Sequence, residues 1–246
     1  MAALCIDWGN SLVKAALVSP DMSISSLQTF GHADAEAGIQ KMLAGSAPAG
    51  AVLSAVTAVP APVMELLGTL PHFMQVSAAT RVPVINAYHS SGTLGADRMA
   101  AAVAANYLFP DKNNLVISLG TCLTFNFIMK NRTFRGGSIS PGLRMRLQAM
   151  HHFTGALPQV EPEGHLLLLG YDTESCMRSG AAYGMAMEIR GIMNEYAGQW
   201  EDFNPILTGG DVPFFARHFK MGIFADPALP LKGLYLILRH NVPQIA

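Results

Sequence analysis

An acid, a glycine, a hydroxyl and a lysine fall close together in Asp7-Trp8-Gly9-Asn10-Ser11-Leu12-Val13-Lys14. Apolar runs stand on both sides. The pattern predicts a tight β-hairpin whose glycine lets backbone N–H groups approach an anion. Asp7, ending a buried strand, has the chemistry to hold hydrated Mg²⁺ beside nucleotide phosphates. The alternative is an Asp that caps its own turn. Lys14 either touches a phosphate or is a solvated strand residue. The phrase recurs as Ser118-Leu119-Gly120-Thr121-Cys122-Leu123-Thr124. There Thr121 offers a hydroxyl and an N–H to phosphate, or is an ordinary turn residue. Two such hairpins in two halves of a chain predict a duplicated fold that clasps a nucleotide between its lobes.

A second kind of chemistry is written in Gly95-Ala96-Asp97-Arg98. A carboxylate and a guanidinium stand at a glycine-preceded helix start, whose positive end favours anions. Arg98 has the shape to pair bidentately with a substrate carboxylate. Asp97 has the means to take a proton from an attacking hydroxyl. The bland reading is a first-turn Asp beside an exposed Arg. Gly136 to Leu143 and Leu207 to Asp211 add glycine turns, which either admit a ligand or simply turn the chain. The P-loop pattern GxxxxGK[ST], the dinucleotide pattern GxGxxG, the HExxH zinc pattern and the GxSxG elbow are all absent.

The elements that must position these residues follow from pattern. Strands are expected at 2–7, 12–18, 27–31, 51–55, 73–77 and 82–87, with helices at 38–43 and 60–68. That order is a mixed sheet with helices, hence α/β. Residues 92–109 form a strong Ala-rich helix, stopped by Pro110-Asp111. The second half restarts with a strand at 115–119 and a hairpin at 122–129 and 133–139. A helix starts near Pro141 and runs to His152. One long helix is expected over 173–200, capped by Asp172 or Thr173. A last buried strand at 205–207 and a helix at 231–240 follow. The boundary between lobes 1–110 and 111–246 falls at Pro110.

Half of the residues are apolar and only 13% are charged, at net charge −1. That is a compact enzyme composition, without the basic footprint of a nucleic-acid binder. Arg132, Arg135, Arg144 and Arg146 make a local cluster, read as a solvated face or an acidic small-molecule site. The three cysteines include no CxxC pair, and Cys5 and Cys122 read as buried small hydrophobes. No leader pattern or membrane-length apolar run appears, so a cytoplasmic protein with no membrane partner is expected. The weakly charged helices at 94–109 and 173–200 are expected to supply a symmetric dimer surface.

In this order, DWGNSLVK, GADRMAAAVAA, SLGTCLTFNF, GGSISPGL, the ALP at 156–158, DTESCMRSG and LTGGD resemble type III pantothenate kinases. These are members of the acetate kinase, sugar kinase, Hsp70 and actin superfamily. The resemblance implies two ribonuclease-H-like (actin-like) lobes and ATP-dependent phosphorylation of pantothenate to 4′-phosphopantothenate, the first step of coenzyme A synthesis. It implies that Asp7, Trp8, Gly9, Asn10, Ser11, Leu12, Val13 and Lys14 hold ATP phosphates and Mg²⁺, with Thr121 on the ATP. It implies Asp97 as general base, with Tyr88, Gly95, Ala96, Asp97, Arg98 and Thr173 around pantothenate. A homodimer and a monovalent cation, K⁺ or NH₄⁺, are also implied. One departure stands out: the family's second phosphate motif begins with Asp, and this chain has Ser118. A hydroxyl is a poorer cation ligand than a carboxylate, which weakens the expected cation site. Rival readings are another small-molecule kinase of the superfamily and a non-catalytic ATP-binding regulator.

Overall fold

The computed structural model describes residues 2–164, 167–216 and 223–245. In chain order the elements are β1 (Ala3–Trp8), β2 (Val13–Val18), β3 (Ile24–Phe30), α1 (Ala35–Ala44), β4 (Ala51–Ala55), α2 (Ala61–Gly68), β5 (Phe73–Gln75), β6 (Ile85–Asn86), α3 (Ala96–Leu108) and β7 (Asn113–Leu119). They continue as β8 (Cys122–Ile128), β9 (Thr133–Pro141), α4 (Leu143–His152), α5 (Thr173–Arg178), α6 (Gly184–Gln199), β10 (Phe203–Thr208), α7 (Val212–Ala216), β11 (Phe224–Ala225) and α8 (Leu229–Asn241). Two compact units result. The first joins Met1–Pro110 to Ile128–Arg135 and Ala228–Ala246; the second joins Asp111–Phe127 to Gly136–Pro227. The terminal helix therefore belongs with the first unit, although it follows the second in sequence.

The first unit is built on a five-stranded sheet of order β3-β2-β1-β4-β5. β1 pairs antiparallel with β2 and parallel with β4. Strand periodicity sends Leu4, Ile6 and Trp8 to one face, where they share a core with Ile39 of α1 and Val63 and Leu67 of α2. The same alternation sends Cys5 and Asp7 to the opposite face, the side on which α8 packs against β1 and β4. Helix α3 packs in turn on α8.

In the second unit the strand order is β11-β10-β7-β8-β9, with β10 parallel to β7. Helix α6 buries Met185, Ile189 and Met193. The Phe127 ring lies 5.0 Å from that of Tyr196 and 4.9 Å from that of Trp200.

Several expectations change. The helix expected over 173–200 is broken by a π-helical stretch at Ser179–Tyr183 between α5 and α6. Gly180 and Gly184 make that rearrangement inexpensive, and Ser179 Oγ donates to the Leu168 carbonyl at 3.0 Å. Asp172 is the cap, accepting from Ser175 N at 2.7 Å in a capping box. Pro141 ends a strand instead of starting a helix, because Gly142 N bonds the Thr121 carbonyl at 3.1 Å and holds the chain extended. The strand expected at 82–87 shrinks to Ile85–Asn86, paired with Thr133 and Phe134. Cys5 is buried, Cys122 only half-buried and Cys176 exposed. In the Ala-rich helix α3, Arg98 through Asn106 are all buried by packing within the chain.

What lets α3 and α8 approach is Gly233. A Cβ there would sit 1.8 Å from the Ala100 carbonyl oxygen. Backbone, unlike a long side chain, has nowhere to move. Gly233→Ala is expected to destabilise the fold by about 3 kcal/mol or more. Gly68→Ala, where a Cβ meets nothing within 4 Å, should be neutral or slightly stabilising. Urea unfolding of the two variants checks this; equal midpoints would mean the crossing tolerates a methyl group.

Candidate active site

In the first unit the two candidate phrases meet. Asp7 is the penultimate residue of β1, opposite Lys14 on β2 and beside Ser54 on β4. The face that carries Asp7 also receives the N-terminus of α3. Burial pushes the Asp7 carboxyl up to about 7, and the negative charge of Asp97 pushes the same way. Lys14 and the nearby Ser54 hydroxyl oppose this only in part. Neither Asp7 Oδ1 nor Ser54 Oγ completes a well-formed hydrogen bond, though both atoms are buried. A buried carboxylate oxygen without a partner is what a hydrated divalent cation would satisfy, so the donor chemistry fits Mg²⁺.

Asp97 lies in the first turn of α3. Its proton affinity is raised by burial, against the opposing pull of the Arg98 backbone N–H and the Arg98 charge. Gly95 makes room for it: a Cβ at 95 would lie 2.4 Å from Asp97 Oδ1. Arg98 is 7% exposed and its guanidinium sits over the Tyr88 ring, 5.7 Å from the centroid. Tyr88 rests in turn on Phe134, ring centres 6.2 Å apart. A cation held by an aromatic face keeps its charge with little water around it. Beside the start of α3 opens a cavity of about 440 Å³. Val56, Val76 and Leu94 give it apolar walls; Ser77, Thr80 and Asn86 give it hydroxyls and an amide. Nothing in the local sequence around 77–86 marks those residues, because the cavity is a product of packing.

The first hairpin closes with Gly9 N donating to the Leu12 carbonyl at 3.1 Å. His32, which carries no local sequence signal, lies on it. Its ring stacks on Trp8 at 5.4 Å, and Nε2 lies 3.0 Å from the Gly9 carbonyl oxygen. A carbonyl only accepts, so this contact requires the proton on Nε2. Asn10, Ser11 and Leu12 of the turn are exposed.

The second hairpin is shorter. Gly120 and Thr121 alone join β7 to β8, whereas residues 9–12 join β1 to β2. Gly120 N donates to the Cys122 carbonyl at 3.2 Å. The glycine turns seen in sequence serve this hairpin directly. A Cβ at Gly142 would lie 2.2 Å from the Gly120 carbonyl oxygen. At Gly209, whose φ is +107°, it would lie 2.2 Å from that of Leu119. These glycines allow backbone to pack on backbone around the turn. Ser118 lies beside Thr208 in the β7–β10 register, and the buried Thr208 Oγ1 has no hydrogen-bond partner. Thr173 opens α5 in the same unit and is exposed. Of the expected site residues, then, Asp7–Lys14, Tyr88 and Gly95–Arg98 fall in the first unit, and Ser118, Thr121 and Thr173 in the second. Two members of the arginine cluster are paired: Arg144 binds Glu161 and Glu163, and Arg146 binds Glu188.

A family model described as type III pantothenate kinase matches residues 3–195. The type III pantothenate kinase of Bacteroides fragilis (strain YCH46) is 43% identical over 194 residues, which is 79% of this chain and 76% of that protein. That of Phocaeicola vulgatus is 37% identical over 240 residues, 97% of this chain and 98% of its own length. Two solved structures show the fold. A Campylobacter jejuni protein named as a conserved Baf family transcriptional activator superposes with TM-score 0.61 at 21% identity, covering 99% of this chain and all of its own. The activator of the 2-hydroxyisocaproyl-CoA dehydratase from Clostridium difficile, with bound ADPNP, gives 0.55 at 11%, covering 99% and 97%. The α/β fold is thus that of duplicated ribonuclease-H-like lobes, and by the family model and the identity of these relatives the chain belongs to the type III pantothenate kinases.

Proposed function

We propose that this chain transfers the γ-phosphoryl group of ATP to the primary hydroxyl of pantothenate, giving 4′-phosphopantothenate and ADP. Family membership supports the reaction. The observation that carries it to particular residues is Asp97, a buried carboxylate of raised proton affinity beside a buried arginine. Asp97 accepts the hydroxyl proton as the oxygen attacks phosphorus, and burial makes it the stronger base for that step. Arg98 pairs with the pantothenate carboxylate, and Tyr88 holds Arg98 in place. The cavity beside Gly95 takes the amide body of the substrate. Residues 7–14 and the turn at Thr121 hold the ATP, and Thr173 contacts pantothenate. Magnesium bound with ATP spreads the charge of the phosphates. Asp7 is the residue that would hold it, through water. ADP release on adding pantothenate, absent with pantothenate omitted or replaced by a sugar, tests the reading. ATP turnover with a sugar would favour the rival kinase; ATP binding without turnover on any acceptor would favour the regulator.

We further infer a cytoplasmic homodimer. No helix of the described residues is long and apolar enough to cross a membrane. Phe153, Leu168, Leu169 and Tyr171 are more than two-thirds exposed, at 81, 72, 83 and 83%. Apolar side chains of this size left so exposed favour a second copy. Light scattering at micromolar concentration should give twice the chain mass, and Leu169→Asp with Tyr171→Asp should give the monomer. A wild-type monomer would remove the dimer.

Asp97→Asn should lower kcat about 10²-fold or more with the fold intact. Gly95→Ala, which displaces the carboxylate without removing it, should also lower kcat while leaving the melting temperature nearly unchanged. Wild-type turnover by a folded Asp97→Asn variant would remove Asp97 as the base.

The sign for Asp7 is the unusual one for an acid. Its carboxyl is raised on folding, from 3.8 to about 7, so the folded chain holds that proton more tightly. Its contribution is favourable at low pH and is lost as pH rises through 4 to 7, by at most about 4 kcal/mol. In metal-free buffer Asp7→Asn should therefore match the wild type near pH 4 and exceed its stability at pH 8, yet be inactive. A stability difference that does not change with pH would contradict this.

At Ser118 there is no carboxylate for a monovalent cation to neutralise against ATP. Activity should depend weakly on potassium, and Ser118→Asp should create or strengthen that dependence. Titration with potassium against a large inert cation at constant ionic strength checks this. A steep requirement in the wild type would show that Ser118 does not replace the ion.

A further inference from the structure

The far end of α3 carries a second cavity, of about 520 Å³, within the first unit. Asn106 on its wall lies nine residues beyond Asp97, about 13 Å along the helix axis. It is therefore separate from the site at the α3 N-terminus. Val103, Tyr107 and Leu236 give it an apolar side. Its polar side carries the guanidiniums of Arg132 and Arg239 and the His240 ring, with no acidic residue in the lining.

Three observations point to a ligand. Neither Arg132 nor Arg239 pairs with a carboxylate among the described residues. Arg239 is held instead over two rings, 5.5 Å from Tyr107 and 5.9 Å from Tyr235. That keeps the guanidinium in place while leaving its N–H groups for an acceptor. Asn106 is 6% exposed and its buried Nδ2 has no hydrogen-bond partner. An unsatisfied amide at a cavity wall is a cost the fold carries unless something accepts from it.

A simpler account covers part of this. Arg239 and His240 lie in the last turn of α8, where the helix dipole favours cations. It does not cover Arg132, which comes from the β8–β9 turn. Arg132 sits at φ +66°, a left-handed conformation that glycine or asparagine adopts more readily. Nor does it cover the unsatisfied amide of Asn106.

We propose that this cavity binds a small organic dianion with an apolar body, of the phosphate monoester class. The two guanidiniums grip the dianion, Asn106 donates to an oxygen of the ligand, and the body lies on Tyr107 and Leu236.

The test is calorimetric titration of phenyl phosphate into the full chain. ADP, magnesium and pantothenate are held in excess, so that the phosphate-binding hairpins are occupied. Benzyl alcohol serves as the neutral counterpart. Saturable one-site binding of phenyl phosphate is expected, with none of benzyl alcohol. Arg132→Gly should weaken it at least 10-fold. Glycine relieves the left-handed backbone there, so this variant folds at least as well as wild type. Arg239→Leu should weaken it similarly, and Arg144→Ala, on a paired surface arginine, should change nothing. No saturable binding by the wild type at 10 mM ligand (about a 10-mM ceiling, near the weakest useful affinity) would overturn the proposal. So would binding that survives Arg132→Gly unchanged.

Discussion

Two carboxylates in one poorly hydrated corner set the terms for the first unit. Burial raises the cost of ionising both Asp7 and Asp97, and the Asp97 charge raises that of Asp7 further. A fold optimised for stability alone would not place them so. Around them stand the groups that make the arrangement tolerable: Lys14 across the hairpin, the Arg98 charge and backbone N–H, and the start of α3. None of these cancels the repulsion, which leaves the corner short of positive charge. A divalent cation bound there would supply it. The affinity of the corner for such an ion and the instability of the corner without it would then be the same electrostatic quantity seen from two sides.

That corner exists only if α3 is held at the right height over the sheet. The chain does this with small residues, not with polar locks. Alanines fill the α3 side of the contact, and Gly233 lets the α8 backbone touch that of α3. The helix then has little freedom to slide, because close-packed backbone allows few alternative registers. The second unit uses the same device around its hairpin, where Gly142 and Gly209 bring other segments against the turn. In the second unit the tight turn thus has backbone packed against it, the kind of preorganisation that suits anion binding.

What was legible in the sequence was what local pattern controls. The hairpins at Asp7 and Ser118, the helix start at Asp97 and the strand-and-helix order all follow from a few adjacent residues. What was not legible depends on partners far away in the chain. Nothing near residue 180 announces a π-helical turn except two glycines that are equally at home in a straight helix. The alanines of α3 read as a sticky surface because their covering helix lies more than a hundred residues later. His32 on the Gly9 carbonyl and the amide and hydroxyls of the cavity are tertiary facts of the same kind. The glycine-rich phrases were open between ligand approach and turn formation; the backbone contacts of Gly142 and Gly209 give them a third role, packing.

The register of the two sheets makes the duplication physical. In the first, Asp7 at the end of β1 lies beside a hydroxyl, Ser54, on the parallel neighbour β4. In the second, Ser118 near the end of β7 lies beside a hydroxyl, Thr208, on the parallel neighbour β10. Ser54 Oγ and Thr208 Oγ1 are both buried without a hydrogen-bond partner. Ser118 is therefore the positional counterpart of Asp7, and the two copies differ at that point by one charge. A carboxylate that faces a phosphate needs a cation between them, whereas a hydroxyl does not. With Ser118, the second copy offers an anion a neutral hydroxyl and the N–H groups of its turn. Those interactions carry no ionic self-repulsion and so need no ion to be tolerable. The copy without the charge is the one whose turn is the shorter, with Gly142 and Gly209 packed against it. There the fixed dipoles of the backbone would offer an anion binding without a metal.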